Sequence, residues 1–150
     1  MSARAGDALP AWELDRVDPE KMKLLAALLR DPNPIHLDPD AVRRNGLGER
    51  LVNQGPTNLG YVQNMLLAWA GGADRIRAVS MRFGANVFAG DRVVAGGRVV
   101  AVADGLADCE VWLDVFRPGE DAPVRALTGT ASVDVSDARP AGRPRTVAGE

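Results

Sequence analysis

An acid and an imidazole stand five positions apart in Leu28-Leu29-Arg30-Asp31-Pro32-Asn33-Pro34-Ile35-His36-Leu37-Asp38, and His36 is the one histidine of 150 residues. A carboxylate (ordinary pKa about 3.9) and an imidazole (about 6.5) can hold one water between them or divide two proton transfers. Asn33 lies between the two and offers a neutral amide to orient a partner or stiffen the loop. Further along, Gly55 precedes Pro56 and Thr57 at a helix opening. An N–H there faces outward at the positive end of the helix dipole, where it suits an oxygen gaining negative charge. Pro56 has no N–H, so Gly55 leads as donor and Thr57 comes second. No Ser or Cys sits in a nucleophile-elbow pattern, and no phosphate-cradling glycine motif is present.

Each of these residues also has a plainer use. Asp-Pro and Asn-Pro are ordinary turn initiators, and Asp31 can simply cap the preceding turn. A lone histidine is more often structural than catalytic, and most Gly-Pro helix openings bind nothing. Arg43, Arg44, Arg75, Arg77 and Arg82 can meet the phosphates of a carrier, yet surface arginines more often form a solvated face. Cys109 reads as a small core residue.

Pro32 and Pro34 fix their own φ near −65° and push Asp31 and Asn33 out of helical geometry, so the loop is held in one shape. Asp18-Pro19-Glu20 starts a helix that carries Met22, Leu25, Ala26, Leu28 and Leu29 on an apolar face and stops at Arg30. Asp38-Pro39 starts a second, short helix, which Asn45-Gly46 ends. A long helix runs from Gly55 to about Ala70, with Leu59, Val62, Leu66 and Trp69 on one stripe and Gly60 placed for close approach to a sheet. Gln63 and Asn64 lie off that stripe. Trp12 to Val17 reads as a short edge strand. From Val79 the period changes to two, and turns at Phe88–Asp91, Ala103–Gly105 and Arg117–Glu120 divide four antiparallel strands. The expected architecture is α+β: an antiparallel sheet of about five strands wrapped around the long helix. Residues 1–10 are expected to be a flexible lead, 11–135 the single domain and 136–150 a flexible tail.

A formal charge of −2 with both signs interspersed argues against a dedicated nucleic-acid binder. With one Cys and one His, neither a disulfide framework nor a protein-held metal is expected. The N-terminus lacks a signal-type apolar core and no run approaches the ~20 apolar residues of a membrane span, so no membrane association is expected and the location expected by default is cytoplasmic.

Asp31-Pro32-Asn33-Pro34-Ile35-His36-Leu37-Asp38 resembles the D-x-N-P-x-H-x-D signature of the MaoC-like (R)-specific enoyl-CoA hydratases and 3-hydroxyacyl dehydratases, which have the hotdog fold. The match fixes five residue types in eight positions, and Phe88-Ala89-Gly90-Asp91-Arg92-Val93 looks like the family's F-x-G-D-x-V turn between strands. The resemblance spans roughly residues 12–135 and implies reversible hydration of a trans-2-enoyl thioester to an (R)-3-hydroxyacyl thioester. It makes Asp31 and His36 the catalytic pair, Asn33 the loop-orienting amide and the Gly55 N–H the donor that polarises the thioester carbonyl. Gln54, Thr57 and Arg82 are added as substrate-binding candidates. No cofactor is implied beyond the coenzyme A or acyl carrier that bears the substrate. Leu29-Arg30 stands where the family usually has Ser-Gly, and Gln54-Gly55-Pro56 stands where a His-Gly pair usually opens the central helix. Those departures resemble single-domain members that pair with a second MaoC-like chain, including dehydratases for steroid acyl-CoA esters. The implied partner is therefore an identical chain or a second MaoC-like chain. A non-catalytic or half-site hotdog subunit is the alternative, and a hotdog thioesterase, which would leave the histidine loop unexplained, ranks below it.

Overall fold

The computed structural model describes residues 3–136. Its elements, in chain order, are β1 (Trp12–Leu14), α1 (Pro19–Leu29), α2 (Pro39–Arg44), α3 (Gly55–Ala70), β2 (Ile76–Phe83), β3 (Arg92–Ala103), β4 (Leu106–Phe116) and β5 (Val124–Asp134), with one-turn 3₁₀ helices at Pro34–His36 and Ala73–Arg75. Local chemistry accounts for the helix ends. The Asp18 carboxylate accepts the Glu20 N–H at 2.9 Å, with Pro19 in the first turn, and Arg30 turns left-handed (φ 51°) to close α1 ahead of the prolines. Asp38 caps α2 through the Asp40 N–H at 2.8 Å. Gly71, at φ 77°, ends α3.

All five strands pair antiparallel in the order β1-β3-β4-β5-β2. The sheet wraps α3, which packs against every strand, so the architecture is the α+β arrangement expected from the sequence pattern and has the hotdog form that the resemblance implies. Val62, Met65, Leu66 and Ala70 form the buried stripe of α3; Val93, Ala95, Val111, Leu113, Leu127 and Val133 face it from the sheet. The alternation read along β4 is obeyed residue by residue, with Cys109, Val111, Leu113 and Val115 inside. Asp104 and Gly105, both at positive φ, make the two-residue β3–β4 hairpin.

β2 lies beside β5, at the far edge from β1, because α3 and the β2–β3 connection carry the chain across the sheet. Three expectations need correction. Within the expected flexible lead, Gly6 and Leu9 donate backbone hydrogen bonds to Val99 and Gly97, and Leu9 is 5% exposed; this segment covers the edge of β3 that the short β1 leaves open. On α1 only Met22 and Ala26 are buried, while Leu28 and Leu29 are 78% and 42% exposed. Finally, a Cβ at Gly60 would meet nothing within 4 Å, so Gly60 is not the point of close approach. A close approach of a different kind lies at Gly129 in β5, where a Cβ would overlap the Ser80 carbonyl oxygen of the neighbouring β2. Of the expected tail, 137–150 lies outside the described residues.

These two glycines give opposite expectations. Gly129→Ala should cost about 2 kcal/mol or more by forcing β2 and β5 apart. Gly60→Ala should stabilise by about 1 kcal/mol through helix propensity alone. Urea unfolding of both variants against the parent chain measures the pair.

Candidate active site

The proline loop leaves α1 through a backbone bond from the Asp31 N–H to the Ala26 carbonyl, 2.9 Å. It then knots on itself. The Asn33 N–H donates to Asp31 Oδ1 at 3.1 Å, and Asn33 Oδ1 accepts the Ile35 N–H at 3.3 Å, capping the single turn that carries His36. Asn33 is itself exposed, so its local work is to hold the loop that bears the acid and the imidazole.

His36 is buried and pinned at one ring nitrogen: Nδ1 lies 2.6 Å from the Val52 carbonyl oxygen. A carbonyl only accepts, so Nδ1 carries the proton and a neutral ring presents a bare Nε2. That nitrogen stands 3.2 Å from Asp31 Oδ2. At this distance one proton, or one bound water, can bridge the two groups. Such a pair can give and take a proton without further rearrangement. Asp31 keeps 33% of its side chain exposed against 7% for His36, so the pair is open to solvent on the carboxylate side. There a groove of about 380 Å³ opens between α1 and the loop, with Asp31, Pro32 and Leu37 on one wall and Lys23 and Arg30 at the rim.

Val52 belongs to the irregular run 51–54, buried throughout, which enters α3 at Gly55. Two residues separate Val52 from Gly55, so three Cα-to-Cα steps keep Gly55 within about 11 Å of the His36 anchor. The Gly55 N–H, in the first turn, has no hydrogen-bond partner among the described residues. The ring of Phe83, half-exposed at the end of β2, lies beside it, 3.5 Å from where a Gly55 Cβ would be.

The remaining candidates separate. Gln54 is wholly buried and its Nε2 donates to the Met22 carbonyl at 3.0 Å, tying α3 to α1 and facing away from the groove; its Oε1 has no partner. Thr57 also turns away, and its unpartnered hydroxyl lines a cavity of about 200 Å³ with Trp12, Met22, Leu25, Asn53 and Tyr61. Asn53 donates there to Asn58 Oδ1 (2.7 Å) and to the Tyr61 hydroxyl (3.2 Å). Burial pushes the Tyr61 phenol upward, and the Asn53 bond opposes it. Arg82 is exposed on the edge strand, next to Phe83, and forms no ion pair among the described residues. The other four arginines are engaged: Arg43 with Asp40 and Glu49, Arg44 with Asp38, Arg77 with Asp134, and Arg75 with the carbonyls of Asp134 and Ser136. Burial, then Asp108, raises the Cys109 thiol to about 11, which leaves it protonated and a poor nucleophile. Among the described residues no three His, Cys, Asp or Glu side chains cluster to hold a metal ion, and no helix is long and apolar enough to cross a membrane.

Two site elements escape a reading of residue types. The Val52 anchor is a backbone carbonyl, which any residue could supply. Phe83 is brought to Gly55 by the β2–β5 pairing, which local pattern does not reveal.

Residues 4–111 match the family model described as a MaoC like domain. The chain is 34% identical over 106 residues to the 3-oxo-4,17-pregnadiene-20-carboxyl-CoA hydratase beta subunit of Mycobacterium tuberculosis, a match covering 71% of this chain and 81% of the relative. Among solved structures, the ChsH1-ChsH2 complex from Mycobacterium tuberculosis superposes with a TM-score of 0.75 at 27% identity, over 91% of this chain and 100% of that one. The (R)-hydratase from A. caviae involved in PHA biosynthesis superposes at 0.74 with 26% identity, over 90% and 98%.

Because the Thr57 hydroxyl is buried without a partner, Thr57→Val should leave stability unchanged or raise it by up to about 1 kcal/mol. Thermal unfolding of the variant reads this directly.

Proposed function

We propose that this chain, which belongs to the MaoC-like domain family, catalyses the reversible hydration of a trans-2-enoyl thioester to an (R)-3-hydroxyacyl thioester. The single observation that carries the reading is the 3.2 Å contact between His36 Nε2 and Asp31 Oδ2, with the opposite ring nitrogen locked on Val52. A water held by both groups attacks C3; one proton leaves it as the C3–O bond forms, and one proton is delivered to C2. The electron pair displaced from the C2–C3 double bond passes through an enolate whose oxygen needs a donor. The free N–H of Gly55, at the positive end of α3, serves as that donor. The reaction then needs water, the thioester and these side chains.

The acyl carrier is coenzyme A in this reading, in line with the name of the curated relative, and that relative's steroidal acyl group makes a bulky substrate the first to try. Arg82, exposed on the edge strand and without an ion pair among the described residues, is kept in this reading as a weak candidate for carrier phosphates. The relative is a beta subunit and the ChsH1-ChsH2 structure is a complex, which favours a second MaoC-like chain as partner over a lone subunit.

Asp31→Asn and His36→Ala should each lower the hydration rate at least ~100-fold while far-UV dichroism and unfolding midpoint stay near those of the parent. The assay is loss of enoyl-thioester absorbance with crotonyl-CoA and a longer trans-2-enoyl-CoA, on the chain alone and co-purified with a MaoC-like partner. Two folded variants of near-normal rate would rule the pair out as catalyst. Release of free thiol in place of a 3-hydroxyacyl thioester would instead identify a thioesterase.

A further inference from the structure

We infer that the ion pair between the half-buried Arg50 and the buried Asp91 is a positioning device for His36, acting through the run 51–53; this rests on reading His36 as half of the catalytic pair. Asp91 is wholly buried, and a carboxylate is kept out of water only where donors replace its hydration. One oxygen takes the Arg50 guanidinium and the other takes the Phe88 N–H at 2.9 Å, so the acid folds the Phe88–Asp91 turn around itself. Arg50 also donates to the Ala89 carbonyl at 3.0 Å and lies 5.2 Å over the Phe88 ring. Arg50 directly precedes the run that holds His36.

That run is one strand wide and bonded on both sides. The Leu51 carbonyl accepts the Ala89 N–H at 2.8 Å, and the Asn53 N–H donates to the Val87 carbonyl at 2.7 Å. Val52, pointing the other way, donates its N–H to the Ile35 carbonyl at 3.1 Å and accepts His36 Nδ1–H at 2.6 Å. The Leu51 carbonyl, both main-chain groups of Val52 and the Asn53 N–H therefore form one continuous ladder between the Asp91 turn and the imidazole. A shift of the turn moves the Val52 carbonyl, and the carbonyl fixes both the tautomer of His36 and the aim of Nε2 at Asp31. The sequence places Arg50 and Asp91 41 residues apart, so only folding brings them together.

His36 is the one histidine in the chain, so its imidazole signals in ¹⁵N-labelled protein are unambiguous. The test measures solvent exchange of the His36 Nδ1 proton in the parent, Arg50→Met and Arg50→Lys. In Arg50→Met, exchange should accelerate at least about tenfold and kcat should fall about 10- to 100-fold with KM nearly unchanged, the pattern of a misplaced catalytic group. Arg50→Lys, which keeps the charge, should restore most of both. If Arg50→Met does not fold, Asp91→Asn is measured in its place, with accelerated exchange expected again. A folded variant whose Nδ1 proton exchanges at the parent's rate overturns the inference. The exchange reading needs no turnover: a parent chain inactive on short, long and steroidal enoyl thioesters, both alone and with a MaoC-like partner, whose exchange still responds to Arg50→Met, would defeat the hydratase reading and leave the positioning role standing.

Discussion

One hydrogen bond organises the site: His36 Nδ1–H to the Val52 carbonyl, 2.6 Å long and out of reach of solvent. It removes the ambiguity of an imidazole, which by itself could present either nitrogen as acceptor. With Nδ1 committed, Nε2 has a single role, and the 3.2 Å approach of Asp31 gives it a partner that differs from it in acidity. Asn33 and the two prolines keep the carboxylate at that distance by fixing the loop that carries both groups. The same run that supplies the carbonyl leads within three residues to Gly55, so the acid–base pair and the helix-terminal donor share one rigid support.

The fold serves this arrangement by burying what lies behind it. The sheet closes round Val62, Met65 and Leu66, which fixes α3 and with it the Gly55 terminus, while Gln54 ties that terminus to the Met22 carbonyl of α1. Met22 and Ala26 seat α1 on the core, and Asp31 follows at its end. The outer leucines of α1 gain nothing from this packing: Leu24 and Leu28 are 73% and 78% exposed.

The parts legible in the sequence are those whose cause is local. Prolines act on their own and the preceding residue, so the loop and the caps at Asp18 and Asp38 could be read directly. Alternation reports a half-buried strand, and β4 follows it at every position. The D-x-N-P-x-H-x-D spacing pointed to the family that the model match and the relatives bear out. The missed parts depend on distant partners. Nothing near Val79 says that β2 must pair with β5, and Asn58 is buried on α3 because Asn53 meets its amide. Leu28 and Leu29 fit a helical period yet lie past the surface that α1 covers. Gly60 and Gly129 look alike in one dimension; only the neighbouring strand distinguishes them. Val52 contributes a main-chain atom, which no residue type announces.

The most direct measurement is a crystal structure of the chain, with its partner if one co-purifies, bound to an (R)-3-hydroxyacyl-CoA. The 3-hydroxyl oxygen should lie within about 3 Å of both Asp31 Oδ2 and His36 Nε2, and the thioester oxygen within about 3 Å of the Gly55 N. An ordered acyl group whose C3 oxygen touches neither side chain, or whose carbonyl points away from Gly55, would contradict the assignment of hydration to this site.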